Sequence, residues 1–416
     1  MRLRHLSFLL LLFTPAAEAQ IGRHELLLSL WDGDPDVAIV EPDGTILQTF
    51  VSSSSAGLCQ GAALTANGEV LTGRWQPSGG FTLFGLGGGE AEFTLPGPGF
   101  IGDTAVLAGG ELLVADQDGV VEVFAADGSH LFSMGAGVLD HPWGLYVDAD
   151  NTVWVGDLGD GFDVHRFQAD GTWLVSLELG VSPGDLVRAW DGTLWLIDET
   201  TAIVHQFATD GTPLFSFPTP LGKEAAGLAF EADGTIVVSD WNSSALFRYS
   251  QTGTYLGLTD LLFSGGVLGI SRPGASPLGT AYCGPANPSS SGFPGQMSAE
   301  GSLDVADDDL TLVATRLPAN KLCYLINGLT RTFVPNPGGS QGNLCIQGAG
   351  RHRAQAGLTD VGGTYSVPID LTAVPRPGGG AVAVQPGETW YWQAWFRDVN
   401  PGQTSNFTDG IAITFQ

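Results

Sequence analysis

Between Gly144 and Glu178 the apolar positions fall into four short runs separated by turn-forming residues. The runs Gly144–Asp148, Val153–Asp157, Val164–Phe167 and Trp173–Leu177 are of strand length and too short for ordinary helices. Asp150-Asn151 and Asp170-Gly171 separate the first pair and the last pair. Tight hairpin turns need positive φ, which Gly and Asn adopt at low cost. The unit is therefore two hairpins in series.

The same unit returns along the first two-thirds of the chain. One column reads Asp32, Arg74, Asp116, Asp157, Asp198, Asp240, at intervals of 41 or 42 residues. The first turn recurs at Asn67-Gly68, Gly109-Gly110, Asp150-Asn151, Asp191-Gly192 and Asp233-Gly234. The second recurs at Asp43-Gly44, Gly87-Gly88, Asp127-Gly128, Asp170-Gly171, Asp210-Gly211 and Thr252-Gly253. A repeat of roughly 40 residues carrying four strands predicts a β-propeller. The spacing predicts six blades over residues 20–273. Unit one lacks its first hairpin and begins at the second strand, Leu26–Leu30. The run Gly266–Ile270 matches the first-strand pattern of Gly227–Phe230, so it is expected to return and complete blade one. That closure removes the exposed strand edges that promote aggregation.

Periodicity stops near Pro273. Residues 274–295 are rich in Pro, Ser, Gly and Asn and read as a linker. Beyond them, strands are expected at Leu310–Leu317, Lys321–Asn327, Asn343–Gln347, Tyr365–Leu371, Ala381–Gln385, Thr389–Arg397 and Ile411–Phe415. Seven short strands predict a small β-sandwich over 296–416. In Trp390–Arg397 alternation puts Trp390, Trp392, Ala394 and Phe396 on one face. Tyr391, Gln393, Trp395 and Arg397 take the other, where Tyr391 and Trp395 are candidates for a glycan-stacking platform. The run Asp307-Asp308-Asp309 reads as a solvated turn.

Residues 1–19 have the layout of a secretory signal: Arg2 and Arg4, the apolar run Leu6–Phe13, then Ala17-Glu18-Ala19. No later stretch reaches the roughly 18 apolar residues of a membrane helix. The expected location is secreted or cell envelope. The formal charge is −28, with two lysines, Lys223 and Lys321. Such a surface repels nucleic acid and anionic lipid, so neither is an expected partner. Four cysteines occur, Cys59, Cys283, Cys323 and Cys345. Export permits a disulfide, and spacing alone leaves the pairing open.

Val237-Val238-Ser239-Asp240-Trp241-Asn242 with Leu246–Tyr249, and His141-Pro142-Trp143-Gly144 opening a blade, resemble the NHL-type repeats of six-bladed propellers. That family includes lyases, lactonase-like hydrolases and binding scaffolds. The strings TAYCGPANPSSSG, GGSQGNLCIQG, TWYWQAWFRD and SNFTDGIAITF resemble a carboxy-terminal β-domain that recurs on secreted bacterial proteins. This second resemblance implies an accessory module and the pairing Cys283–Cys345, with Cys323–Cys345 as its competitor.

Loops after the second strands open on one face of a propeller. Asp32, Asp116, Asp157, Asp198 and Asp240, with Arg74 and His141, are therefore candidates for a channel-mouth site. Calcium needs six to eight oxygens, and Asp157, Asp198 and Asp240 are its candidate ligands. The competing role is local, each carboxylate accepting N–H groups of its own loop. Arg74 either pairs across the mouth or marks a degenerate repeat. The lyase reading would need several converging histidines, yet His165 and His205 fall on third strands, away from the channel. The lactonase-like reading would use calcium held by residues such as Asp103, Glu224, Asp240 and Asn242. The expectation is a non-catalytic binding or scaffold protein with no cofactor, calcium being the one ion considered. Its partners would be an extracellular or envelope protein or a glycan. The alternative is a metal-dependent lyase or lactonase-like hydrolase at the channel mouth.

Overall fold

A computed structural model describes residues 25–416, apart from 32–34, 54–58, 66, 76–78, 98, 149, 160, 162, 190, 222–224, 232, 273–277, 285, 353–354 and 377. The expected signal at 1–19, Asp32 and Glu224 lie outside the described residues. The chain is an all-β propeller followed by a second β region, with two short 3-10 turns and no α-helix among the described residues.

The propeller part contains six four-stranded antiparallel sheets among the described residues. Their innermost strands are Cys59–Leu64, Ile101–Val106, Pro142–Val147, Pro183–Arg188, Ala225–Phe230 and Gly266–Ser271. Gly266–Ser271 lies beside Leu26–Trp31, so the last strand of the repeat region completes the first sheet.

Alternation on the second strands explains the ring. Leu112 and Val114 pack with Leu71 and Phe81 of the preceding blade and with Ile101 of their own. Leu113 and Ala115, on the opposite face, pack with Leu145, Val153, Val155 and Phe167 of the next. The same double burial recurs around the ring, through Trp154 against Leu194 and Leu196, Trp195 against Leu228 and Val238, Val237 against Leu26 and Leu28, and Leu27 against Ala62 and Val70. Each second strand is thus buried on both faces. The fourth strands form the rim and expose Leu131, Trp173, Leu174, Leu214, Tyr255 and Leu258.

The turns follow the expected chemistry. Gly171 has φ 86°, its N–H donates to the Gln168 carbonyl at 2.9 Å, and the Asp170 carboxylate accepts Thr172 N–H at 3.0 Å. Asn151 replaces glycine at φ 62° in its turn.

In the carboxy-terminal region, a sheet built around the long hairpin Thr389–Val399 and Gln403–Thr414 faces a smaller sheet of Gln296–Gly301, Leu310–Thr315 and Tyr365–Ile369. Met297, Leu312, Leu325, Val367, Trp390, Trp392, Phe396, Ile411 and Ile413 fill the space between. Cys283 and Cys345 form a disulfide. Cys323 is buried among apolar residues.

Several strand expectations need correction. The stretch read as linker contains Thr280–Tyr282, which pairs with Gly410–Ala412. The final strand begins at Gln403, because its polar residues are buried and bonded: Asn406 donates to the Asn287 and Pro288 carbonyls, and Asp409 accepts Met297 N–H at 2.7 Å. Gln296–Gly301 was not anticipated, and Ala381–Gln385 shortens to Ala381–Val382. Val305–Asp307 forms a 3-10 turn in which Asp304 caps Ala306 N–H. Asp308 accepts Leu371 N–H at 2.7 Å.

The two regions touch beside the blade-five turn. Gln296 Nε2 donates to Asp191 Oδ2 at 2.7 Å, and the Arg316 guanidinium lies over Trp195 and Phe293. Phe293 meets Phe215 edge-on at 5.1 Å. Arg272 and Glu300 form a buried ion pair at 2.6 Å.

Candidate functional site

A channel of about 460 Å3 runs through the centre of the ring. Tryptophans crowd its mouth. Trp75 meets Trp31 at 6.0 Å, Trp143 at 5.8 Å and Phe100 at 4.6 Å between ring centroids. Trp31, Trp75, Trp143 and Trp241 all line the channel, and Trp241 is 38% exposed.

Asp116, Asp157, Asp198 and Asp240 do not line this channel. Asp116 accepts Asp118 N–H at 3.1 Å. Asp157 accepts the N–H groups of Asp140, His141 and Gly159 at 2.8, 2.7 and 2.9 Å. Asp198 accepts Thr200 and Thr201 N–H, and Asp240 accepts Asn242 N–H and the Ser243 hydroxyl. These carboxylates satisfy loop donors, the local device open to such residues. Arg74 turns outward, pairing with Glu92 at 3.2 Å and donating to the Phe93 carbonyl. The His141 ring stacks on Trp143, and its Nδ1 lies 3.1 Å from the Gln117 carbonyl. His165 is buried within its sheet, beside Asp157 and bonded to Ser176, and burial holds its ring below the usual histidine range.

The residues that reach the channel stand one position further on. Trp75, Glu199 and Trp241 each follow a column residue, and strand alternation turns them inward. Arg74, Asp198 and Asp240 end their strands, and the residue after each of these three lines the channel.

A second column runs deeper. Gly61, Asp103, Gly144, Asp185, Gly227 and Gly269 lie 41 or 42 residues apart, on the innermost strands. Pairing register shifts at or beside this level in each of the six sheets, as in a β-bulge. Backbones of adjacent blades approach closely here. A Cβ on Gly61 would lie 2.2 Å from Asp103 Oδ1, and one on Gly227 2.9 Å from Ile270 N.

Two of the six positions carry a carboxyl instead. Asp103 accepts Thr104 N–H at 2.7 Å and, across the blade boundary, Leu145 N–H at 2.9 Å. Asp185 accepts Leu186 N–H and Leu228 N–H, both at 2.7 Å. Burial pushes Asp103 up to about 7, against the lowering effect of its two backbone donors. Burial raises Asp185 well above the usual range, and the Asp103 charge adds to this. Burial also raises Glu199 at the mouth. Gln60 and Thr104 line the same level, 3% and 4% exposed, and Gln60 Oε1 and Thr104 Oγ1 have no hydrogen-bond partner. Arg188 and Arg272 line the channel too, but Asp148 and Glu300 neutralise them.

Three or more His, Cys, Asp or Glu side chains grouped to hold a metal ion are absent among the described residues. The aspartate column and the two channel carboxyls therefore form separate sets, each engaged by backbone donors.

On the second face of the carboxy-terminal hairpin, Tyr391 and Trp395 are half-buried. Tyr391 meets Tyr282 at 5.4 Å under the Arg331 guanidinium, and Trp395 meets Tyr324 at 4.9 Å. Gln393 between them is fully buried and bonded to Cys345 N–H and the Asn343 carbonyl. Strand Asn343–Ile346 therefore covers the middle of the expected platform.

No family model matches the chain, and no curated protein matches it in sequence. Among solved structures it is similar to a protein of unknown function from Bacteroides caccae, at 15% identity and TM-score 0.48 over 59% of this chain and 97% of that one. It is also similar to virginiamycin B lyase from Staphylococcus aureus, at 14% identity and TM-score 0.43 over 86% and 95%. A gluconolactonase from Xanthomonas campestris is 19% identical, with TM-score 0.44 over 62% and 86%. All three TM-scores lie below 0.5, so nothing about this chain is inferred from these likenesses.

Proposed function

We propose that the chain is an exported, six-bladed, NHL-like propeller that captures a small organic molecule in its central channel, its carboxy-terminal β-sandwich serving for attachment to an extracellular or envelope partner. The observation behind it is the channel itself: about 460 Å3, apolar along most of its wall, entered past four tryptophans. Sites for small molecules are concave and largely apolar, with a few converging polar groups. Gln60, Asp103, Thr104 and Asp185 are those groups here. The signal-like residues 1–19 and the acidic composition support the exported location.

Tryptophan fluorescence tests this reading. Titrating the mature protein with a panel of single-ring organic molecules should quench or shift its emission saturably. Trp75→Ala should abolish the response of the binding members while leaving the unfolding temperature within a few degrees, as expected near a surface mouth. A panel that moves neither emission nor unfolding temperature would overturn the reading.

The rival, a metal-dependent lyase or lactonase-like hydrolase, draws support from the carboxyls of Asp103, Asp185 and Glu199 along one channel. Elemental analysis of the purified protein separates the two. One stoichiometric metal, calcium included, would favour the enzyme, and none would favour capture alone.

A further inference from the structure

The channel carries two half-buried carboxyls without a counter-cation. Among the described residues, the hydrogen bonds to Asp103 and Asp185 come from backbone N–H groups. No Lys, Arg or His forms an ion pair with either among the described residues. Both border the Gly144-Leu145 backbone: Asp103 accepts Leu145 N–H, and a Cβ on Gly144 would lie 3.1 Å from the Asp185 Cα. Beside them stand the two unsatisfied, buried oxygens Gln60 Oε1 and Thr104 Oγ1. The wall at this level is therefore rich in acceptors and holds no donor cation. Above it stand the four tryptophans that line the channel, a residue type whose π face attracts cations.

Resting on the channel reading above, we propose that the captured molecule is a primary organic ammonium with a flat apolar body, its ammonium placed against Gln60, Asp103, Thr104 and Asp185 and its body among Trp31, Trp75, Trp143 and Trp241. An ammonium carries three donors and no acceptor, matching a wall of acceptors. Charge-assisted bonds to a carboxylate are the strong kind. An anion would meet two carboxyls, and a neutral body would leave the polar oxygens unpaired. The other ionisable groups facing the channel are Tyr146, Arg188, Glu199 and Arg272. Both arginines are already paired with carboxylates, and Glu199 favours a cation at the mouth. The strongly acidic surface would concentrate cations around the protein.

Binding would draw protons off Asp103 and Asp185, since a cation stabilises their ionised forms. Affinity for an amine should thus rise with pH while the amine itself stays protonated.

The test uses the mature full-length protein and three probes sharing one ring: 2-phenylethylamine, 2-phenylethanol and 3-phenylpropionate. Calorimetry should show the amine binding at least about tenfold more tightly than the alcohol, the scale of one charge-assisted contact. The anion should bind weakest. Amine affinity should rise between about pH 6 and about pH 8, with proton release seen as a dependence of the heat on buffer ionisation. Gln60→Leu, which leaves the blade-to-blade bonds of Asp103 intact, should shrink the amine's advantage over the alcohol. Asp103→Asn should reduce the pH dependence and leave the part due to Asp185, if it folds. Alcohol binding as tight as amine binding would overturn the ammonium assignment and leave the channel reading standing. Failure of all three probes to bind would count against both.

Discussion

Asp103 accepts the backbone N–H of Leu145 at 2.9 Å, so a side chain of the third blade supplies a bond that the fourth blade lacks. Asp185 repeats the arrangement at Leu228, between the fifth and sixth blades. Both bonds lie where innermost strands bulge and backbone pairing is interrupted. The two carboxyls therefore join blades, and they also line the channel.

Asp185→Ala should destabilise the propeller by about 1–3 kcal/mol, the cost of leaving a buried N–H without its acceptor. Urea unfolding followed by tryptophan emission measures it. A change below a few tenths would show that the blade junction does not depend on this bond.

Acidity at Asp103 gives a pH signature. Its folded value, about 7, stands above its ordinary value of 3.8, so the folded protein holds more protons between them. Stability contributed by this group is present at low pH and declines as pH rises from about 4 through about 7. Asp409, pushed up to about 8 by burial, acts in the same direction. Buried His165, His205 and His352, held below the usual range, act in the opposite one. Comparing the native protein with Asp103→Asn isolates the term. The stability difference between them should be larger near pH 5 than near pH 8, and a difference that does not vary with pH would refute it.

Asp157→Ala should cost about 2–3 kcal/mol, because three loop N–H groups lose their acceptor together. The loss from Asp240→Ala should be smaller, since one backbone donor and one hydroxyl are involved. Neither variant should change the heat of a calcium titration. A calcium heat present in the native protein and absent in Asp157→Ala would restore the aspartates as ligands.

Arg316→Ala should loosen the carboxy-terminal region from the ring. The variant loses a buried guanidinium over Trp195 and Phe293, 4.0 Å from Asp191. A loss on the order of a few kcal/mol is expected from breaking such a buried set. Scanning calorimetry should resolve two unfolding transitions in the variant more clearly than in the native protein. An unchanged thermogram would place the coupling elsewhere.

Replacing Cys283 and Cys345 by serine should remove about 2–4 kcal/mol, the usual worth of a disulfide closing a loop of this size. The loss should fall on the carboxy-terminal transition, and reductant should reproduce it in the native protein.

The repeat made the ring legible. Strand length, turn residues and a constant period are local properties, and they placed the sheets, the hairpins and the returning strand Gly266–Ser271. The acidic composition carried the expectation that nucleic acid is not a partner. The site was less legible. Asp116, Asp157, Asp198 and Asp240 recur because they share a loop device, accepting backbone N–H groups at their strand ends. Trp75, Glu199 and Trp241, one residue further along, reach the channel because successive strand residues face opposite ways. Asp103 and Asp185 did leave a trace in the sequence, as carboxyls in a column otherwise made of glycine. The buried polar residues Asn406 and Asp409 left none, since their side-chain hydrogen-bond partners Asn287 and Met297 are distant in the chain.

The sequence by itself determined the period and the turns, because each depends on neighbours within about 42 residues, and it indicated the closure, because the repeat leaves one first strand missing at its start and one over at its end. Only the tertiary structure decided which side chains meet in the channel. That outcome depends on how six sheets pack face to face, and on which face of each strand the packing leaves open.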